Sequence, residues 1–234
     1  MEDGDNITLK EEDKMDAIEC IKGRMSIRKF KPDPVPEEVL LSIIDIARWS
    51  PSYKNSQPWE LVIVSGTKRE ELSRMLIKLL ENGKAPQPDL PEPQSWTEEI
   101  DLRIKEHLRR RGEVLGIDLT DPASLKNAKI ANFRFYGAPH VIFLFQESTL
   151  TPWSILDMGM FAQSIMLAAC AYGIGTVPQA FLTDYATEVK RFLAIPDSKR
   201  LILGISIGYP DLEDRANSYR SSRVETSKIL RWIE

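Results

Sequence analysis

The chain has 234 residues, 42% hydrophobic and 28% charged, a composition that excludes collagen-like, low-complexity and wholly disordered proteins. Its 31 basic and 35 acidic residues leave a net charge of −4, which supplies no bulk attraction to nucleic acid or to an anionic membrane. The two cysteines, Cys20 and Cys170, form no Cys-x-x-Cys, and the two histidines, His107 and His140, have no metal-ligand spacing, so neither a disulfide scaffold nor a metalloenzyme is expected.

Residues 1–14 are polar and acidic and lack the basic start and apolar stretch of a secretory signal; a frayed terminus is expected there, followed by one domain over 15–234. Together with the sparse cysteines this predicts a reducing, cytoplasmic location. A short helix is predicted from Met15 to Lys22. Arg24-Met25-Ser26-Ile27-Arg28 follows, and Pro32, Pro34 and Pro36 then keep the chain extended, because proline disfavours helical geometry at the preceding residue. Leu40, Ile43, Ile44 and Ala47 fall on one helical stripe behind Glu37 and Glu38, whose charges suit a helix amino terminus. Pro51 to Pro58 is rich in turn formers and reads as a loop into a strand, Trp59 to Val64.

A helix is expected from Lys68 to Leu80, then a proline-interrupted stretch from Lys84 to Pro93, then a charged helix from Trp96 to Gly112 with Arg109, Arg110 and Arg111. The region around 84–130 reads as a surface insertion. Pro139 to Gln146 is a second strand, its unbroken apolar run implying cover on both faces. Ile155 to Tyr172 is a buried helix; with Asp157 and Gln163 inside it, it does not read as a membrane span. A short extended piece at Gly175 to Pro178, a helix capped by Thr183 and running to Leu193, a third strand from Leu201 to Ile207, and a basic tail with a last helix or extension from Val224 complete the chain. Strands separated by more numerous helices argue an α+β fold around one sheet.

Three polar constellations stand out. In an extended segment Arg24, Ser26 and Arg28 point the same way, and two guanidinium groups flanking a hydroxyl make an anion clamp; the alternative is a strand end making surface ion pairs. Ser52, Tyr53, Asn55 and Gln57 sit on a loop stiffened by Pro51 and Pro58, suited either to reading the edge of a planar heterocycle or to satisfying its own backbone. Arg220 and Arg223 belong to a solvated tail or close over the same anion as Arg24. Cys170 reads as a core residue, Cys20 as incidental and His140 as structural. The triple arginine reads as a solvated helix face, with one sharper alternative, an arginine meeting an aromatic carboxylate.

The Arg-x-Ser-x-Arg segment, the Pro-Ser-x-x-Asn-x-Gln-Pro-Trp loop, Gly-x-Gly-Thr before Pro178-Gln179-Ala180, and Gly204 to Pro210 with its basic tail together resemble the nitroreductase family of FMN-dependent oxidoreductases. Asn132 to Pro139 and Asn217 to Arg223 are similar to the branch containing nitrobenzoate reductases. The resemblance implies a central, mostly antiparallel sheet flanked by helices, in an interlocked homodimer with FMN at the subunit interface. It implies that Arg24 and Ser26 hold the FMN phosphate with Arg223 and Arg220, and that Arg28 meets the pyrimidine edge as an electrostatic stabiliser. Met25, Pro51, Tyr53 and Pro178 would complete the lining, Ser52, Asn55 and Gln57 would come from the partner, and backbone amides around Gln179 and Ala180 would face the N5 edge.

The chemistry so implied is carried by flavin N5 rather than by a protein acid: hydride arrives from transient NADH or NADPH and leaves to a nitroaromatic or quinone in ping-pong turnover. Reductive dehalogenation or flavin modification on the same fold, and a non-catalytic FMN sensor or carrier, are the competing expectations. Met25, Tyr53 and Gln179-Ala180 depart from common family residues, and they bear on substrate choice more than on cofactor binding.

Overall fold

A computed structural model describes residues 16–234; the expectation of a frayed terminus over 1–14 lies outside the described residues. The elements in chain order are α1 (Ala17–Gly23), α2 (Glu37–Ala47), β1 (Glu60–Ser65), α3 (Gly66–Glu81), α4 (Glu98–Leu115), α5 (Pro122–Phe133), β2 (His140–Glu147), α6 (Pro152–Ala171), β3 (Gly175–Gln179), α7 (Ala186–Phe192) and β4 (Lys199–Gly208). The four strands form one antiparallel sheet in the order β1-β2-β4-β3.

The unbroken apolar run of β2 has the structural consequence read from it. Val141, Phe143 and Phe145 pack on one face with α3, Phe133 and Tyr185, while Ile142 and Leu144 pack on the other with α2 and α6. Both faces of the sheet are therefore covered, and β2 lies inside it, in register with β1 (Val62 opposite Phe143) and β4 (Phe143 opposite Gly204).

Several elements differ from expectation for identifiable reasons. The extended piece at Gly175 is a full edge strand, so the sheet has four strands rather than three. Thr183 is not a helix cap: its hydroxyl donates to the carbonyl of Ala180 in a 3₁₀ turn, and α7 begins only at Ala186. The amphipathic signal of α5 is weak, yet Asp121 caps it by accepting from the Ser124 amide at 2.9 Å, and proline occupies its first turn. The tail from Val224 onward makes only a 3₁₀ turn at Thr226–Lys228. Helix α6 is long and apolar enough to cross a membrane by composition alone, but half of its most apolar stretch is buried against the rest of the chain, as a core helix is.

The proline-rich stretch after α3 is tied down along its length. The Leu201 amide donates to Asp89 Oδ2 at 2.7 Å, Lys190 pairs with the same carboxylate at 3.0 Å, and the Tyr185 hydroxyl donates to the carbonyl of Lys84.

The segment carrying Arg24, Ser26 and Arg28 runs along the outer edge of β3. Ser26 bridges Thr176 in parallel, and the Ile27 amide donates to the Thr176 carbonyl at 3.0 Å. Ile27 thereby packs into the core while its neighbours stay on the rim. Gly175 makes this approach possible, since a Cβ there would stand 2.8 Å from Ile27 Cγ1 and 3.1 Å from Pro210 Cβ.

Candidate functional site

A cavity of about 450 Å³ opens where this segment meets the carboxyl-terminal tail, lined by Arg24, Met25, Ser26, Arg28, Arg220 and Arg223 among others. The two ends of the polypeptide are brought together by Asn217. Its Oδ1 accepts from the Arg28 amide at 2.6 Å, and its Nδ2 donates to the carbonyls of Lys29 and Asp211. Sequence reasoning had no signal for this role, because a single asparagine pinning two distant segments has no local pattern.

The electrostatics of the cavity are one-sided. Arg24, Arg28, Arg220 and Arg223 have no ion pair among the described residues. Arg24 Nε is buried without a hydrogen-bond partner, and burial, then the charge of Arg223, lower the proton affinity of its guanidinium. Uncompensated cations held together this way stabilise nothing in the bare chain, and the arrangement favours a bound oxyanion. The donor set therefore fits a phosphate: the guanidinium groups of Arg24, Arg220 and Arg223, with Ser26 at the wall and Arg28 beyond it.

Other predicted site residues lie apart from this cavity within one chain. Pro51, Ser52, Tyr53, Asn55 and Gln57 are on a loop over the start of α6. There the buried Asp157 carboxylate accepts from the Tyr53 amide at 3.1 Å, and Trp153 stacks on the Tyr53 ring at 5.9 Å. Lys54, Asn55 and Gln57 all have positive φ, at 53°, 57° and 45°. Three left-handed residues in an exposed loop are strained backbone held in place by its surroundings, a feature that concentrates at functional sites. The Ser52 hydroxyl accepts from the Gln57 amide at 3.0 Å, so the loop is closed on itself with its amide side chains outward.

Pro178, Gln179 and Ala180 lie at the end of β3. The Gln179 side chain is buried and fully engaged, donating to the Asn132 carbonyl and Oδ1 and accepting from the Ser206 hydroxyl. The Gln179 side chain therefore has no free polar group to offer a ligand.

His140 and the two cysteines lie outside the residues that line the cavity. His140 Nε2 accepts from the Val35 amide at 3.0 Å and its Nδ1 meets the Ser65 hydroxyl, and burial lowers its proton affinity. Cys20 is not incidental: it is buried, its thiol meets Cys170, and burial, then Cys170, raise it to about 11, far from a reactive thiolate.

His107, to which sequence reasoning gave no role, lines the cavity, and Arg111, read within the triple arginine as a solvated helix face, is instead half-buried. His107 faces it from α4, with Nδ1 3.1 Å from the Tyr219 hydroxyl. Arg111, one helical turn on, is half-buried, and its Nε has no partner. The i, i+4 spacing of the two was a legible signal. Among the described residues no cluster of histidine, cysteine and acidic side chains is arranged to hold a metal ion.

Comparison with known proteins gives concordant results. The sequence model of the nitroreductase family matches residues 21–209. The chain is 35% identical over 217 residues to "Nitroreductase NfnB" of Mycolicibacterium smegmatis, covering 92% of each. It is 32% identical over 216 residues to a 4-nitrobenzoate reductase of Pseudomonas putida, covering 90% of this chain and 92% of that one. The crystal structure of the FMN-dependent NfnB from Mycobacterium smegmatis in complex with NADPH superposes with a TM-score of 0.89 at 34% identity, covering 93% of this chain and 98% of that one.

Proposed function

The chain belongs to the nitroreductase family, and we propose that its unpaired arginines hold the phosphate of one FMN while a second copy of the chain completes the site. It is an FMN- and NAD(P)H-dependent oxidoreductase acting on nitroaromatic acceptors. When bound, FMN would supply the redox chemistry that connects NAD(P)H to a nitroaromatic or quinone acceptor.

The chain's own residues supply position and charge. Arg24, Arg220 and Arg223, with the Ser26 hydroxyl, grip the phosphate, and Met25 lines the wall beside them. Arg28, its backbone held by the bond from its amide to Asn217, would be a cation beside the flavin that stabilises the negative charge of the reduced state. Backbone around Pro178, Gln179 and Ala180 would offer the ring hydrogen-bonding groups. From the second copy, Ser52, Asn55 and Gln57, with Pro51 and Tyr53, cover the ring. The observation that carries this reading is the buried, unpartnered Arg24 Nε in a cavity of cations without an acid.

A second copy is supported by the apolar surface left open. Leu41, Ile46 and Trp49 at α2, Trp153 and Leu156 on α6, and Trp232 and Ile233 in the tail are large exposed apolar side chains, more than a stable monomer usually displays. A reducing cytoplasmic location fits the reductant and the two thiols in contact.

The test is direct. Purified protein should be yellow, sediment as a dimer, bleach with NAD(P)H in the absence of oxygen, and recover its colour on adding a nitroaromatic. Bleaching without recovery on any acceptor would reduce the reading to an FMN carrier. Mixing Arg24→Gln and Asn55→Ala protomers should restore one intact site per heterodimer, because the two lesions fall on opposite sides of each shared site. No restoration would place both residues in the same protomer's site.

A further inference from the structure

Asp157 carries a buried carboxylate in the second turn of α6. It is 3% exposed and has no ion pair among the described residues. A charge buried without a counter-charge is costly, and hydrogen bonds must stand in for the water it has lost. Both oxygens are turned on one donor, the amide of Tyr53, at 3.1 and 3.2 Å.

That amide opens the 3₁₀ turn Tyr53–Asn55, and the first amides of a helical turn have no partner within it. Ser52, placed to cap the turn, makes no capping bond, because its hydroxyl accepts from the Gln57 amide at 3.0 Å. Asp157 therefore caps this turn from 104 residues away, with a charge-assisted bond stronger than a neutral one. Helix α6 repeats the attachment along the same face. Trp153, four residues before Asp157, stacks on the Tyr53 ring with the planes 17° apart, and the hydroxyl of Ser164, about two turns after it, meets that of Ser50 at 2.7 Å. Of these three contacts, the Asp157 bond alone holds backbone.

What it holds is unfavourable by itself. Lys54, Asn55 and Gln57 follow at positive φ, a geometry that non-glycine residues keep only where their surroundings over-determine it. Asn55 and Gln57 stand exposed at the surface of the single chain. We propose that Asp157 is a positioning residue for the reaction: by fixing the Tyr53 amide it sets the geometry of Asn55 and Gln57, and the flavin site it serves is that of the other protomer. The proposal rests on the reading of residues 51–58 as cover for the partner's FMN. A group buried in one subunit then governs cofactor affinity in the other.

The experiment uses full-length dimers and titrates FMN by fluorescence. Asp157→Ala, which removes the acceptor, should weaken FMN binding by about tenfold or more, the range for one hydrogen bond to a charged group. Asp157→Asn should recover most of that loss, because its carbonyl oxygen still accepts from the Tyr53 amide. Heterodimers of differently tagged, co-expressed chains test the assignment to the partner. An Asp157→Ala chain paired with an Arg24→Gln chain should bind one FMN tightly per dimer, because one site then has both an intact Arg24 and an intact loop. The same chain paired with an Asn55→Ala chain should bind none tightly, since each site meets a damaged loop.

Unchanged FMN affinity in Asp157→Ala overturns the proposal. So does restoration by the Asn55→Ala chain instead of the Arg24→Gln chain, which would place Asp157 at its own chain's site, and so does restoration by neither, the result for a residue that only holds its own subunit together. Asp157→Leu fills the same space without an acceptor and takes over every arm if Asp157→Ala does not fold; failure of both to fold assigns Asp157 to its subunit's own core and overturns the proposal too. If Arg24→Gln and Asn55→Ala chains do not restore each other, the reading of a shared site fails. If they do, and Asp157→Ala does not sort with Asn55→Ala, this inference alone fails.

Discussion

The outer and inner faces of α4 carry the same residue types with opposite electrostatic outcomes. Outside, Lys105 pairs with Asp101 at 2.6 Å, and Arg103 and Arg109 pair with acids three or four residues away, the ordinary self-compensation of an exposed helix. Inside, His107 lines the cavity of Arg24, Arg28 and Arg223, and Arg111 is half-buried with its Nε unpartnered, and no acid answers either of them. The difference teaches where to look for a ligand: a cation compensated on its own helix stabilises surface, whereas a buried cation without a partner marks the place of an anion that arrives from outside.

The comparison is broken most sharply at Arg24. Arg24→Gln should weaken FMN binding by about tenfold to a hundredfold or more, one hydrogen bond to a charged group being worth about 1.5–3 kcal/mol. The melting temperature of the cofactor-free protein should rise, since burial and Arg223 both oppose the charge removed. Fluorescence titration with FMN and a thermal melt measure the two effects. A fall in apoprotein stability together with unchanged FMN affinity would place Arg24 in the structural class.

His140 sharpens the contrast from the paired side. His140→Ala leaves the buried Val35 amide without its acceptor and should cost about 1–3 kcal/mol in denaturant unfolding.

A smaller effect follows from pH. The folded protein resists protonation of both His140 and His107, in each case first through burial, so the unfolded chain binds more protons below the ordinary value of 6.5. Stability should therefore fall as pH drops below about 6.5 and level off once the folded-state histidines also titrate. Unfolding curves across pH 5 to 8 (about the range in which histidine titrates) check this; a stability that rises on acidification would contradict it. The smallest effect is at Arg109. Arg109→Ala should change neither FMN affinity nor the melting temperature measurably, its partners being exposed on the same helix.

Much of the site was legible before any coordinates. The alternation of Arg24, Ser26 and Arg28 placed all three at one cavity wall, as extended geometry requires. The turn formers of residues 51–58 announced a loop, although only the backbone showed three left-handed residues within it. What was missed had no periodic signature. The direction in which Arg111 faces depends on how α4 is laid against the tail, Asn217 acts across two segments far apart in sequence, and Thr183 looked like a cap until the 3₁₀ turn used its hydroxyl. The weak amphipathicity of α5 hid a helix that its capping aspartate and proline alone could have betrayed.

The sequence by itself determined the elements whose cause is local: the stripe of α2, the doubly buried run of β2, the extended segment that carries Arg24, Ser26 and Arg28, and the family that those motifs spell. Only the tertiary structure decided which charges meet. Hydrophobic periodicity specifies a face but not what lies opposite it, and the pairing of Cys20 with Cys170, of Arg24 with Arg223 and of Arg111 with Arg28 is set by the packing of helices and tail around the sheet. Whether a cation is surface or site is therefore a property of its surroundings in space, which no window of neighbouring residues contains.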